Sequence, residues 1–334
     1  MAKKIGKATY ILSSPVYFLG NAALTGEKEA KGPLGKYIDR VCKDDTMGEE
    51  SFEKAERKMM QEVVFNAMTN AGLKEEDVDV FIGGDLLNQI VTTSYTARQY
   101  NIPFLGVYGA CSTMAESLIV GASLIDGGFA GNVICATGSH FSASERQFRN
   151  PLELGSQRQT YSQWTVTGMG ASALSKVGGG PKITQFSIGR VVDYGVKDIA
   201  NMGAAMAPAA MTSLVTFFKD TGTSPQDYDL IVSGDLGKLG SDVLRDLMAA
   251  QGYPLGQEYS DCGHSIFSTT QKTFQGGSGA GCSAAVLNSY LIDKLKKKEL
   301  NKIVFMATGA LMSTTTNQQG DTLPCIAHIV VIES

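Results

Sequence analysis

The feature that most limits what this chain can fold into is an internal repeat. Residues 79–85 read D-V-F-I-G-G-D, and residues 229–235 read D-L-I-V-S-G-D. In the same way, residues 134–138 (I-C-A-T-G) are matched by residues 305–309 (F-M-A-T-G). Two copies of one unit, related by an approximate two-fold axis, bring equivalent points together where the copies meet. The repeat therefore predicts two fused halves with a site at their junction.

The order of elements within each half predicts an α/β fold. Short apolar strands are expected at residues 78–83 and 133–136 in the first half, and at residues 230–232 and 303–307 in the second. Helical segments lie between them. Such alternation is typical of parallel strands with right-handed crossovers and helices on both faces of a sheet.

The repeat also sets the expected division of the chain. We predict an N-terminal half at residues 1–182 and a C-terminal half at residues 183–334. Residues 141–182 are the least regular part and are interpreted as an excursion over the site. Residues 13–50 are rich in Gly, Pro and polar residues, which predicts an extended surface loop.

One helix is marked clearly at both ends. Ser51 is a favourable N-cap, and apolar residues including Met59, Val63 and Ala67 follow at helical spacing. Gly72 is the expected C-terminal stop, because glycine accepts the left-handed conformation that ends many helices.

Composition excludes several classes of protein. The 334 residues are 43% hydrophobic and 19% charged, which is typical of a globular protein with a large core. A formal net charge of −4 argues against a general nucleic-acid binder. Neither a signal peptide nor an apolar run of membrane-spanning length is found, so we expect a soluble protein.

Cysteine and histidine usage argues against disulfides and metal centres. The six cysteines are scattered without a C-x-x-C spacing, which favours reduced, buried thiols in an intracellular protein. Cys262 and His264 could form half of a zinc site, but with three histidines in the chain no second pair completes it. We predict no resident metal and no cofactor.

Cys111 and His264 are the leading candidates for chemistry. They occupy matching positions in the two copies, in the runs G-A-C-S and C-G-H-S. Cys111 is expected to begin a helix, where the dipole and free N–H groups lower a thiol pKa. A thiol facing an imidazole across the junction is the arrangement that nucleophilic cysteine chemistry needs. A small buried cysteine and a hydrogen-bonded core histidine are the alternatives.

Three further groups of residues are candidates for binding anions. Residues 276–281 (G-G-S-G-A-G), which include Gly277 and Ser278, can bring N–H groups close to a carboxylate, although a close-packed turn fits equally well. Arg146 and Arg149 are candidates for charge pairing, or are ordinary solvated arginines. The four lysines between residues 294 and 298 favour a solvated helix end, with docking to an anionic lipid surface as the alternative.

These residues resemble the thiolase superfamily, which includes thiolases and β-ketoacyl synthases. Cys111 matches the position of the family's nucleophile. Gly263-His264-Ser265 resembles the G-H-P loop of thiolases and the G-N-T-S loop of the type III synthases, and residues 276–281 resemble the glycine-rich loop that closes those sites. The resemblance implies a five-layer α-β-α-β-α fold built from two duplicated halves, and a homodimer.

One position departs from the condensing enzymes of that superfamily. They keep a His or Asn after the first strand of the second half, whereas this chain has Ser233-Gly234-Asp235. Activating an acyl thioester by their route needs two neutral donors over its oxygen, and a carboxylate opposes the developing charge unless it is protonated. The pocket is therefore expected to be kept while part of the catalytic set is lost.

The chain resembles one group within the superfamily more closely, the stage V sporulation protein AD family of spore-forming bacteria. The matching runs are residues 13–20 (S-S-P-V-Y-F-L-G), 108–118 (Y-G-A-C-S-T-M-A-E-S-L) and 138–149 (G-S-H-F-S-A-S-E-R-Q-F-R). This resemblance implies a protein of the developing spore that binds dipicolinic acid (pyridine-2,6-dicarboxylic acid). It also implies that the protein helps to move the acid, with calcium, into the spore beside stage V sporulation A membrane proteins, peripheral to the inner spore membrane.

The residues expected to contact the ligand come from all of the candidate groups described above. Helix N-termini, a glycine-rich loop and arginines offer donors for the two carboxylates of dipicolinate. Asp235 is a candidate oxygen ligand if calcium enters with the dianion. The alternative function is an acyl transferase that uses Cys111 as nucleophile, with His264 as its catalytic partner. The predicted binding residues are Cys111, Ser112, Arg146, Arg149, Asp235, His264, Gly277 and Ser278.

Overall fold

The computed structural model describes residues 2–148 and 157–334. Its strands are β1 (Lys3–Ile5), β2 (Thr9–Gly26), β3 (Arg40–Cys42), β4 (Val80–Asp85), β5 (Phe104–Gly106), β6 (Asn132–Ser139), β7 (Trp164–Thr165), β8 (Gly168–Ser175), β9 (Lys182–Ser187), β10 (Leu230–Ser233), β11 (Tyr259–Asp261), β12 (Gly277–Ser278), β13 (Lys302–Ala310) and β14 (Cys325–Glu333).

The helices are α1 (Glu27–Ala30), α2 (Phe52–Ala71), α3 (Val91–Ala97), α4 (Thr113–Asp126), α5 (Phe141–Phe148), α6 (Met202–Thr221), α7 (Gly237–Ala250), α8 (Cys262–Ile266), α9 (Ala280–Val286), α10 (Ile292–Lys296) and α11 (Thr314–Gln318). A π-helical turn at Leu287–Leu291 joins α9 to α10, so that one helix runs from Ala280 to Lys296. No helix in the described ranges is both long enough and apolar enough to cross a membrane.

The strands form two equivalent arrays. One has the order β5-β4-β6-β8-β2 and the other β11-β10-β13-β14-β9, and pairing of β2 with β9 joins them. Within the two arrays, parallel pairing occurs among β5, β4 and β6 and among β11, β10 and β13. Outside the arrays, β3 pairs in parallel with β2, and β7 with β12. The inner strands β8 and β14 are antiparallel to both of their neighbours. In each array the chain turns back to lie beside β6 or β13, and no parallel crossover is needed.

Helices lie in three layers around these arrays. Helix α2 packs on the outer face of the first array and α6 on the outer face of the second, each over its own hydrophobic cluster. Helices α4 and α9 lie between the arrays in the largest cluster, which also takes in Phe305 and Val330 of the second array. The five-layer α-β-α-β-α arrangement predicted from the sequence is confirmed.

Helix α2 has the predicted ends. The Ser51 hydroxyl accepts a hydrogen bond from the Lys54 N–H at 3.3 Å, and Gly72 follows the last helical residue with a φ of 70°. Met59, Val63 and Ala67 are buried against the first array. The helix forms here because its two caps and its buried apolar face specify the same stretch of chain.

Two of the expected irregular segments contain central strands instead. Residues 13–26 of the predicted surface loop belong to β2, whose small residues let α2 approach closely. A Cβ added at Gly20 would lie 2.4 Å from the Ala71 nitrogen. Residues 168–175 of the predicted excursion are β8, which is buried along its whole length between β2 and β6. The boundary expected after residue 182 falls within the first residues of β9.

Candidate functional site

A cavity enclosing about 460 Å³ of empty space lies beside Cys111. Both halves of the chain contribute to it, since Cys111 and Thr165 precede the expected boundary and Met202 and Ser278 follow it. The apolar side chains that line it include Leu86, Phe148, Met202 and Met312. The polar side chains are Cys111, Glu145, Thr165 and Ser278.

Cys111 is held in a tight turn that leads into α4. The turn is a single 3-10 turn at Ala110–Ser112, and Ala110 has a φ of 51°. Gly309 of β13 presses against it: a Cβ added there would lie 2.2 Å from the Gly109 carbonyl oxygen. The glycine of the repeated A-T-G run is therefore required for the second half to reach the thiol.

Asp235 lies just after β10 and is the charged group beside Cys111. Its side chain is fully buried and lies close enough to the Cys111 thiol for each group to shift the pKa of the other, although Asp235 does not itself line the cavity. The Thr308 hydroxyl donates to Oδ1 at 2.9 Å, while the Gly279 N–H donates to Oδ2 at 2.9 Å and the Ser278 hydroxyl at 3.3 Å. These hydrogen bonds connect Asp235 to Ser278, which lines the cavity.

The two groups change each other's ionisation. Burial raises the pKa of the Cys111 thiol well above its usual value, and the negative charge of the neighbouring Asp235 carboxyl raises it further. The expectation that the helix N-terminus lowers the thiol pKa is therefore wrong. Burial also raises the pKa of Asp235, to about 6, although hydrogen bonds from Gly279 and Thr308 oppose the shift.

His264 is not where the repeat predicted. It lies in α8, whose buried residues are Cys262, Gly263 and Ile266, and its own side chain is exposed to solvent. Asp261 caps this helix by accepting the His264 N–H at 2.8 Å. Because His264 does not line the cavity, the predicted thiol–imidazole pair is wrong.

Three other predicted binding residues have different roles. Ser112 is buried, but its hydroxyl donates to the Gly109 carbonyl at 2.6 Å and does not line the cavity. Gly277 lies in β12 next to Ser278, and its carbonyl accepts a hydrogen bond from the Gln163 amide at 2.8 Å. Arg146 is exposed and forms an ion pair with Glu53. Arg149 lies outside the described residues.

Sequence reasoning missed Glu145, which lines the cavity and is only 2% exposed. Its carboxylate accepts a hydrogen bond from the Thr165 hydroxyl at 2.8 Å and forms an ion pair with Arg158 at 3.2 Å. The Arg158 guanidinium in turn lies over the ring of Trp164. Glu145 belongs to the run at residues 138–149 that carries the family resemblance, so the sequence contained a signal for it. The neighbouring Arg146 was predicted as the binding residue instead.

Asp261 supports the site through hydrogen bonds to the end of β10 and the loop after it. Its carboxylate accepts the Leu236 N–H and the Gly237 N–H, each at 2.9 Å, and the Ser233 hydroxyl at 2.6 Å. These bonds fix the loop that carries Asp235. No pattern in the sequence marked this role. In the described part of the chain, no group of three or more His, Cys, Asp or Glu side chains is placed to hold a metal ion.

Solved structures with this fold are found among condensing enzymes. The 3-oxoacyl-[acyl-carrier-protein] synthase III of Aquifex aeolicus superposes with a TM-score of 0.58 at 13% identity, covering 96% of this chain and all of that one. A variant of OleA from Xanthomonas campestris gives a TM-score of 0.63 at 12% identity, covering 97% of this chain and all of that one. At such low identity these likenesses show a thiolase-like fold and nothing about activity.

The sequence comparisons are more specific. The family model for stage V sporulation protein AD matches residues 6–333. The stage V sporulation protein AD of Bacillus subtilis (strain 168) is 43% identical over 331 residues, which cover 99% of this chain and 98% of that protein. With a family match along almost its whole length, this thiolase-like chain belongs to the stage V sporulation protein AD family.

Proposed function

We propose that this sporulation protein binds dipicolinic acid in the Cys111 cavity and takes part in its uptake, with calcium, into the developing spore. The observation that carries the proposal is that the buried Asp235 carboxyl lies beside the Cys111 thiol and raises its pKa. A thiol with a raised pKa stays protonated at neutral pH and is a poor nucleophile. A site of this kind is suited to holding a ligand rather than to transferring an acyl group.

The lining of the cavity suits a small aromatic acid, because small-molecule sites are mostly apolar with a few well-placed polar groups. Phe148 and Met312 offer apolar contacts to a flat ring. The hydroxyl groups of Thr165 and Ser278 donate to Glu145 and Asp235, and must turn away from these partners to donate to the carboxylates of the ligand.

The acidic side chains at the cavity limit the negative charge that a ligand can carry. Glu145 and Asp235 are acidic, and a bare dianion would be repelled by them. Chelated calcium neutralises dipicolinate, and protonation of Asp235 removes a second negative charge. Both oxygens of Asp235 are already held by Thr308 and Gly279, so calcium enters bound to the carboxylates of dipicolinate, with Asp235 as a neighbour rather than a ligand.

Calorimetric titration of the full-length protein with dipicolinate, with and without calcium, tests the proposal. We expect saturable binding that weakens at least about tenfold, or about 1.4 kcal/mol, when Ala310→Phe or Met312→Trp fills the cavity. His264→Ala is the matched control and leaves the affinity unchanged, because the side chain is exposed outside the cavity. No heat of binding at millimolar dipicolinate under either condition would overturn the proposal.

The competing function is acyl transfer by Cys111, which is favoured by the position of the thiol on the cavity wall. Incubation with acyl-CoA followed by measurement of the intact protein mass separates the two functions. A binding protein keeps its mass, whereas an acyl adduct that disappears in Cys111→Ser establishes the enzyme.

We also propose that the protein acts as a homodimer and passes the ligand to stage V sporulation A membrane proteins. The support for a dimer is β5, an edge strand whose three residues are all exposed. Phe104 and Leu105 on β5, together with Tyr95 and Tyr108 beside it, are 36–43% exposed. A parallel strand is normally buried, so an apolar one at an open edge suits pairing with a second copy.

A further inference from the structure

A second, larger pocket lies away from Cys111 and encloses about 1220 Å³ of empty space that is open to solvent. We call it the lysine pocket; it is lined by Asn21, Lys36, Asp39, Asn70, Lys296 and Lys297, with Tyr37, Asn288, Ser289 and Asp293. It lies where the long helix from Ala280 to Lys296 ends, while the start of that helix borders the Cys111 cavity.

Asn21 of β2 organises this pocket. Its side-chain nitrogen donates to the Asn288 carbonyl at 2.5 Å, inside the π-helical turn. Its side-chain oxygen accepts the Lys296 ammonium at 2.7 Å, and its backbone carbonyl accepts the Asn70 amide at 2.9 Å. The Lys296 ammonium is thus held at the pocket by a neutral partner, and π-helical turns of this kind are frequent at functional sites.

Some of the charged side chains of the lysine pocket form ion pairs and others do not. Lys297 forms an ion pair with Asp293 at 2.8 Å, and the Asp39 carboxylate accepts the Ala23 N–H at 2.8 Å. Within the described ranges, neither Lys36 nor Lys296 has a carboxylate at ion-pair distance. Partial burial lowers the pKa of Lys296, and the negative charges of Asp39 and Asp293 partly offset this shift. The three lysines of the pocket outnumber its two aspartates, so the pocket keeps a net positive charge for a ligand.

We propose that the lysine pocket binds a phosphate group between Lys36 and Lys296, as part of a small phosphate ester or of a phospholipid headgroup. Lysine ammonium groups are point charges that suit phosphate, whereas paired recognition of a carboxylate favours arginine. Asn70 and Ser289 line the same pocket, and although they donate to the Asn21 and Ala285 carbonyls, their side-chain oxygens can accept hydrogen bonds from the alcohol groups of such an ester. This site is independent of the dipicolinate proposal.

Titration of the full-length protein with glycerol 3-phosphate at low ionic strength tests the free-ester form. We expect saturable binding that weakens at least about tenfold in the double variant Lys36→Gln/Lys296→Gln, because two charged hydrogen-bond donors are lost. Glutamine still donates to Asn21, which keeps the local fold. Lys298→Gln is the matched control, since it removes one charge at the same helix end without lining the pocket.

Sedimentation with phosphatidylglycerol vesicles, against phosphatidylcholine vesicles, tests the headgroup form. Binding to either probe that is lost in the double variant but kept in Lys298→Gln supports the site, and the probe that binds identifies the source of the phosphate. The single variant Lys36→Gln, in an exposed turn, serves if the double variant unfolds early. Binding to neither probe, or equal binding by the double variant and Lys298→Gln, overturns the proposal. Ala310→Phe in the other cavity leaves the result unchanged.

Discussion

Two buried side chains, Cys111 and Asp235, lie next to each other beside the cavity, and each changes how readily the other loses its proton. A thiol next to an imidazole is activated, because the resulting cation favours the thiolate. A thiol next to a carboxylate is suppressed, because the two negative forms repel each other. Asp235 therefore makes Cys111 a weaker nucleophile than a thiol that is paired with an imidazole.

At the residue scale, we predict that Asp235→Asn changes how stability depends on pH. The folded-state pKa of Asp235, about 6, lies above the usual value of 3.8, so its proton favours the folded state. That advantage is complete below pH 3.8 and is lost as the pH rises through about 6. Relative to the variant, the wild-type free energy of unfolding should therefore fall by about 3 kcal/mol over this window.

Urea unfolding of both proteins between about pH 4 and pH 7 measures this difference. Other buried acids, such as Glu29, titrate alike in the two proteins and cancel. A difference that stays constant with pH would contradict the raised pKa of Asp235.

A second residue-scale prediction concerns the reactivity of Cys111. Because burial and Asp235 raise the thiol pKa, iodoacetamide should alkylate Cys111 in the folded protein far more slowly than a free cysteine at neutral pH. Asp235→Asn should speed the reaction by removing the repelling charge. Peptide mapping after timed alkylation measures both rates, and equal rates in wild type and variant would rule out the effect of Asp235.

At the element scale, the start of α9 links backbone conformation to the site. Gly279 precedes the helix with a φ of 100°, and its N–H donates to Asp235. A Cβ added there would lie 2.9 Å from the Ser139 hydroxyl oxygen. That hydroxyl donates to the Val166 carbonyl at 2.7 Å, so the crowding would reach the neighbouring strands.

We therefore predict that Gly279→Ala both destabilises the fold and weakens dipicolinate binding. The backbone alone should cost about 1–2 kcal/mol, because side chains disfavour positive φ, and displacement of Ser139 adds to this. Gly128→Ala is the control: its φ is 77° and nothing lies within 4 Å of the added Cβ. It should lower the unfolding midpoint slightly and leave binding intact. Equal effects of the two changes on ligand affinity would be inconsistent with the role given to α9.

On the scale of the whole molecule, the open edge at β5 predicts the assembly. Leu105→Glu places a charge on the exposed strand and should convert a dimer to a monomer, as measured by light scattering during size-exclusion chromatography. Val177→Glu, at a position that is 78% exposed, is the matched control and should leave the assembly unchanged. A wild-type protein that runs as a monomer at micromolar concentration would rule out the proposed homodimer.

Local patterns accounted for much of the fold. Helix α2 was predicted with both caps, because Ser51 and Gly72 act on their own neighbours in the chain. The repeat predicted β4, β6, β10 and β13, which are continuous apolar strands buried on both faces. Strands β2 and β8 were missed, because Ser13-Ser14-Pro15 and the run G-M-G-A-S-A-L-S contain the small and polar residues that usually mark loops. Their strand character comes from the helices and strands packed against them.

The candidate site, like the fold, was predicted only in part from the sequence. The amino-acid sequence alone determined the duplicated α/β architecture and indicated Cys111, Asp235 and Ser278 as candidates, since repeats and motifs depend only on residue order. Only the tertiary structure decided that His264 faces solvent and that Asp235 takes its place beside the thiol. The physical reason is that the direction of a side chain depends on how its helix packs. For α8 that packing is set by Gly263 against β12, where an added Cβ would lie 2.3 Å from the Gly277 carbonyl oxygen.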